Sequence, residues 1–143
     1  MLIQRVVWRW IISAAALLAL LTTGLMPLAE AEEHGGHATV AFTTKLPNVP
    51  GKSLTAVVVR YAPGEATPPH HHAGSVYAYV LSGTIRSQTS TDGPAKVYRA
   101  GESFFEPPGS IHLVSANAST TEPASLLAIF VADDGAVLTT PEK

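Results

Sequence analysis

Cysteine is absent from all 143 residues. No disulfide can staple this chain, and no thiolate can hold zinc or an iron–sulfur cluster, so any metal must be taken by His, Asp or Glu. Charge is scarce as well: charged residues make up 14% of the chain, 9 Lys plus Arg against 11 Asp plus Glu. No basic patch stands out, so nucleic acid is not an expected partner. A sustained 3.6-residue period is missing beyond residue 31, and Pro and Gly are spread along that part, which argues against a helical architecture.

Long apolar runs are confined to the start. "MLIQRVVWRW" carries Arg5 and Arg9 without an acid, and "IISAAALLALLTTGL" is an apolar stretch about as long as a signal-peptide core. It falls short of the about 20 residues that a membrane span needs. Ala29-Glu30-Ala31 then offers the small residues of a cleavage site. The expectation is a secretory signal peptide over 1–31, forming a helix, cleaved near Ala31 to give a secreted or periplasmic product. An uncleaved N-terminal anchor is the alternative, and would be the one route to a membrane. Arg5 and Arg9 are not adjacent, so a twin-arginine route is not indicated. Taking 31 residues from 143 leaves 112, the segment 32–143, enough for a single domain with its own core. Without Arg5, Arg9 and Glu30, seven bases face ten acids, a net charge of −3.

Beyond residue 31 the chain is a series of short extended runs between turn residues. "KSLTAVVVRYA", "SVYAYVLS", "GTIRSQTS", "AKVYRA", "ESFFE", "IHLVSA", "ASLLAIFVA" and "AVLTT" are rich in β-branched and aromatic residues. Ser82-Gly83 reads as a tight bend between paired strands, and "TDGP" at 91–94 as a turn. The pattern predicts an all-β sandwich or barrel of eight or nine strands. The segment 38–46, "ATVAFTTKL", would be an exposed edge strand, and exposed edges are usually covered or paired. A homodimer in which this segment supplies an intermolecular strand is therefore expected.

Three consecutive histidines, His70, His71 and His72, stand in "PPHHHAGSVYAYVLSG". On an extended backbone i and i+2 share a face, so His70 and His72 can meet one ion while His71 points away. Taken alone, such a run is as well explained by a solvated loop. A second stretch, "GESFFEPPGSIHLVSAN", places His112 just after the rigid turn Pro107-Pro108-Gly109, again near the start of a strand. Three histidines so placed can converge in the mouth of a small barrel.

Together the two stretches resemble the two motifs of the cupin superfamily. The first runs Gly64, five residues, His70, His71, His72, then Gly83; the second runs Gly101, five residues, Pro107, Pro108, Gly109, two residues, His112. Between them lie residues 84–100, a spacer typical of small cupins. The resemblance implies a cupin double-stranded β-helix, or jelly-roll barrel, over 32–143 with its core at about 40–140. It further implies one divalent transition metal on His70, His72 and His112. Two positions depart from the pattern. The carboxylate that usually completes the metal site is replaced by Val76, or by Tyr77 at the alternative spacing, and the late asparagine is Ala116, with Asn117 one place on. Three neutral imidazoles favour Fe, Zn, Ni or Cu and make Mn less favoured.

Other residues carry expectations of their own. Glu106, just before the Pro-Pro turn, can face the ligand space as fourth ligand or as catalytic general base, although a solvated place at the rim is the commoner outcome for such a residue. Glu65 and Glu102 read as turn carboxylates. Val76, Ala78 and Val80 would give the pocket an apolar wall, and Tyr77, Tyr79, Phe104 and Phe105 would be mostly core. His34 and His37 would lie in a polar tail. For function, the resemblance implies a metal site for a small organic ligand or substrate. One reading is an enzyme, a dioxygenase of the Fe(II) type acting on an enol, enolate or catechol-like molecule, or with zinc an isomerase or hydrolase. The alternative is a non-catalytic module that binds or senses a small molecule or metal. A purely structural role leaves the histidine spacing without a reason.

Overall fold

The computed structural model describes residues 36–143. The leader expected over 1–31 lies outside the described residues, as does His34.

All described secondary structure is β. The strands are β1 (His37–Lys45), β2 (Lys52–Tyr61), β3 (Ala66–Thr67), β4 (His70–His72), β5 (Ser75–Ser82), β6 (Thr84–Thr89), β7 (Lys96–Arg99), β8 (Ser103–Glu106), β9 (Ile111–Asn117), β10 (Ala124–Asp133) and β11 (Thr139–Pro141). Their alternation is visible in the burial: along β10, Ala124, Leu126, Ala128, Phe130 and Ala132 are buried while Ser125, Leu127, Ile129 and Val131 are half-buried on the opposite side. Period-two alternation of this kind puts one side of a sheet in the core.

The strands form two antiparallel sheets. One has the order β1-β2-β10-β5-β8; the other runs β11-β4-β9-β6-β7, with β3 also paired to β9. Between them sit Val57, Val76, Ala78, Val80, Ile85, Phe104, Leu126, Ala128 and Phe130, a single core. The chain is thus a small double-stranded β-helix barrel. Among the described residues no helix is long and apolar enough to cross a membrane.

Three sequence expectations change here. Eleven described strands replace the eight or nine expected, because β3, β4 and β11 are two or three residues long and too short to leave a pattern. Ser82-Gly83 is not a hairpin bend: β5 and β6 belong to different sheets, and Gly83, at φ 68°, turns the corner between them. Tyr77, Tyr79 and Phe105 are 45%, 38% and 52% exposed, so of the four aromatics expected inside only Phe104 is core. The reason is parity. Tyr77 and Tyr79 alternate with Val76, Ala78 and Val80, which take the inner face. The turn at 91–94 does link paired strands, β6 and β7, with Thr89 N–H donating to Asp92 Oδ2 at 3.1 Å.

Candidate metal centre

The histidines do not lie at the start of β5. They form their own strand, β4, which hydrogen-bonds to β9 in the other sheet and puts His70 directly across the rung from His112. The change of sheet happens at Ala73-Gly74. Gly74 adopts φ 122°, and a Cβ there would run into the carbonyl of Val131 and into Ala132, so only glycine makes this corner.

On β4 the outer residue is His71, whose Nδ1 lies 2.6 Å from Glu142 Oε1 at the surface. His70, His72 and His112 turn inward, each with a ring nitrogen within 4.8 Å of those of the other two. Strand parity accounts for His70 and His72 sharing a side with His71 apart, and the β4–β9 pairing brings His112 to them. The C-terminal strand β11 closes the far side of β4, with Thr139 opposite His72 and Pro141 opposite His70.

Each inward ring is held by its other nitrogen. His70 Nδ1 lies 2.8 Å from the Pro68 carbonyl, and His72 Nδ1 3.1 Å from the Leu138 carbonyl. A carbonyl only accepts, so both Nδ1 atoms carry the proton and both Nε2 atoms are bare. His112 Nε2 lies 2.9 Å from Ser87 Oγ, which leaves Nδ1 facing inward. Burial disfavours the imidazolium of His70 and of His72, holding both below the ordinary value of 6.5 although Glu106 pulls the other way.

Glu106 is no rim carboxylate. It is 4% exposed, because β8 alternates inward at Phe104 and Glu106. Its Oε2 lies 3.0 Å from His112 Nδ1 and 3.4 Å from His72 Nε2, yet accepts no hydrogen bond. Glu65 and Glu102 are turn carboxylates as expected, accepting from the backbone N–H of Ala62 and Arg99, both at 2.6 Å.

The late asparagine has a structural account. On β9 the register skips Leu113, an extra residue bulged against β6, and this returns Asn117 to the buried face of His112. Asn117 Nδ2 donates to the carbonyls of Ala62 at 3.0 Å and Glu122 at 2.8 Å, tying two loops together.

Beside the histidines a cavity of about 330 Å³ opens. The apolar wall expected from Val76, Ala78 and Val80 is supplied instead by Val57 and Val59 of β2 and by Leu126, Ala128 and Phe130 of β10. Those three β5 residues are sealed in the core at 0–1% exposure. The difference follows from β4 crossing to the other sheet and taking the histidines with it. A hydroxyl cluster also lines the cavity: Tyr61 Oη lies 2.7 Å from Thr67 Oγ1 and 2.8 Å from Ser115 Oγ. Burial pushes the Tyr61 phenol up, so it stays neutral. Sequence reasoning missed Ser87, Leu138 and Ser115, since nothing local marks a serine or a carbonyl as the partner of a histidine many residues away.

A double-stranded β-helix with three inward imidazoles from β4 and β9 sets this chain among the small β-barrels with a candidate metal site. A sequence model described as "Cupin domain" matches residues 57–130, just over half of the chain, and the chain belongs to the cupin family. It is 38% identical over 96 residues to germin-like protein 5-1 of Oryza sativa subsp. japonica, covering 61% of this chain and 41% of that protein. The chain spans less than half the length of the curated relatives it matches. Among solved structures, an uncharacterised double-stranded β-helix protein of Klebsiella pneumoniae superposes with TM-score 0.58 at 22% identity, over 78% of this chain and 88% of that one. A DMSP lyase from Ruegeria pomeroyi superposes with TM-score 0.60 at 18% identity, over 80% of this chain and 55% of that one. These two likenesses concern the fold.

Proposed function

We propose that this is an exported, metal-dependent cupin that binds one divalent ion on His70, His72 and His112 and takes a small, largely apolar organic molecule in the adjoining cavity. We further propose that it transforms this molecule as an Fe(II)-type dioxygenase. One observation carries the metal reading: three ring nitrogens, each with its opposite nitrogen already bonded, converge, and an unsatisfied carboxylate oxygen lies beside two of them. Lone pairs gathered in this way repel one another unless a cation sits among them. Outer hydrogen bonds of this type are also what fixes metal-ligating imidazoles. A bound divalent ion would supply Lewis acidity and a point of attachment for an oxygen donor of the ligand.

The chain's own residues define the ligand. Val57, Val59, Leu126, Ala128 and Phe130 offer a hydrocarbon surface, and the neutral Tyr61–Thr67–Ser115 cluster offers hydroxyls. Among the described residues no Lys or Arg lines the cavity. Negative charge on the ligand would have to be met at the metal site alone, which favours a neutral or singly charged enol, enolate or phenol over a dicarboxylate. A binding or sensing module is the second reading, favoured because among the described residues Glu106 is the only carboxylate lining the cavity. The test is elemental analysis after native purification, followed by oxygen uptake with enols, diketones and catechols. Stoichiometric iron and uptake support the dioxygenase. A ligand that raises the melting temperature without turnover supports the binder.

Export is supported by the leader-like first 31 residues, and N-terminal sequencing of the protein expressed with its full chain would find Glu32 first. A homodimer is supported by the outer side of the five-stranded sheet. The rungs Phe42–Ala56, Ala56–Ile129, Ile129–Tyr77 and Tyr77–Phe105 lay one apolar row across all five strands, with Phe42, Tyr77 and Phe105 exposed. Contiguous exposed apolar surface of this kind marks an interface, and the occupant proposed is a second copy. β1 pairs with β2 of its own chain through one side only and stands at the edge of the sheet, so 38–46 keeps a free edge for an intermolecular strand beside packing of this face. Light scattering of Tyr77→Arg should show a monomer where the parent shows a dimer.

A further inference from the structure

Glu106 poses a problem that the three imidazoles leave open. A buried carboxylate oxygen without a hydrogen bond is costly, and Glu106 Oε2 is such an atom. The nitrogen nearest it on His72 is Nε2, at 3.4 Å, and that nitrogen is bare because Nδ1 donates to the Leu138 carbonyl. On His112 the near nitrogen is Nδ1, at 3.0 Å, but no hydrogen bond forms. Ser110, close by in sequence, gives its hydroxyl to the Pro107 carbonyl and not to Glu106. Among the described residues nothing satisfies this oxygen.

The ladder shows what the oxygen replaces. Val76 on β5 lies directly across the rung from Glu106 on β8, and both side chains are buried on the inner face, at 1% and 4% exposure. Facing Cβ atoms in such a pair are about 4.5–5.5 Å apart. A carboxylate carried on either strand therefore reaches the same region, and only one is needed. Val76 stands where a carboxylate was expected from the motif, and it packs as plain core.

We propose that Glu106 is a ligand to the metal, supplied through Oε2 from β8 across one rung from Val76. This rests on the metal reading above and decides the place of Glu106 within it: a ligand, not a free general base. The site then holds three neutral nitrogens and one carboxylate, which offsets half the charge of a divalent ion and adds a hard oxygen donor. The ground for disfavouring manganese is thereby removed.

The test uses the full chain stripped of metal, with Co(II) and Mn(II) as probes. Affinity is read by competition with a chromophoric chelator, and the ligand field by the Co(II) absorption spectrum. Loss of an outer-sphere partner typically costs 10–100-fold in affinity, so Glu106→Gln should weaken Co(II) binding by at least about 100-fold and alter the spectrum. Its metal-free melting temperature should not fall, since a buried charge is removed; that measurement shows the variant is folded. Glu106→Val should likewise lose affinity, and Val76→Glu added to Glu106→Val should recover it to within about tenfold. A Glu106→Gln protein that binds Co(II) as tightly as the parent, with an unchanged spectrum, overturns the assignment even though the protein binds metal. A parent that binds neither ion overturns the metal reading itself, and this proposal with it.

Discussion

The two sheets of this barrel turn opposite chemistry toward each other. The five-stranded sheet lines the interior with Val57, Val76, Ala78, Val80, Phe104, Leu126, Ala128 and Phe130, while the other lines it with His70, His72, Ser87, Thr89, His112, Ser115 and Asn117. Ile85 is the fully buried apolar side chain on the polar sheet. Glu106 is the charged side chain buried on the apolar one. An interior built this way separates two tasks. One wall offers lone pairs, and the other offers hydrocarbon to the cavity and to the core. Glu106 is where they meet, a single carboxylate sent across from the apolar sheet to the polar one.

The comparison can be broken most severely on the polar side. His112→Ala removes a proposed ligand that is 3% exposed and sits across the rung from His70, so stoichiometric metal should be lost; elemental analysis of the purified variant checks this. On the apolar side, Phe130→Ala should leave metal content in place. Phe-to-Ala changes in cores cost about 3–5 kcal/mol, and Phe130 borders a cavity, so about 3 kcal/mol is expected, read from chemical denaturation. If metal is lost together with stability, the two walls are not separable.

Smaller effects sharpen the division. Ser87→Ala frees Nε2 of His112 from its 2.9 Å partner and should weaken metal binding about 10–100-fold without changing the ligand field much. The metal-free protein should lose stability on acidification. Burial holds the folded-state values of His70 and His72 below 6.5, so below that pH the unfolded chain binds more protons than the folded one. The contribution of these two rings is complete above about pH 6.5 and declines as pH falls through their folded values. Melting curves from pH 8 to 5, with and without metal, measure it; a flat profile for the metal-free protein would show that the two rings are not buried neutral. The smallest effect belongs to His71→Ala. Its pair with Glu142 is half exposed, worth at most about 1 kcal/mol, and metal stoichiometry should not change.

Much of this was readable from the chain alone. Alternation fixed the strand class, because a period of two in "SVYAYVLS" and "ASLLAIFVA" leaves no other way to bury one side. The same parity separated His71 from His70 and His72, since neighbours on an extended backbone point apart. The absence of cysteine limited any metal site to nitrogen and oxygen donors. What depends on residues far apart in sequence was decided by the fold. That Val76 and Glu106 share a rung follows from β5 lying beside β8, thirty residues on in the chain. That Ser87 and Leu138 hold the rings follows from strands β6 and β11 flanking β9 and β4. Local pattern says which way a side chain points; only the pairing of strands says what it points at.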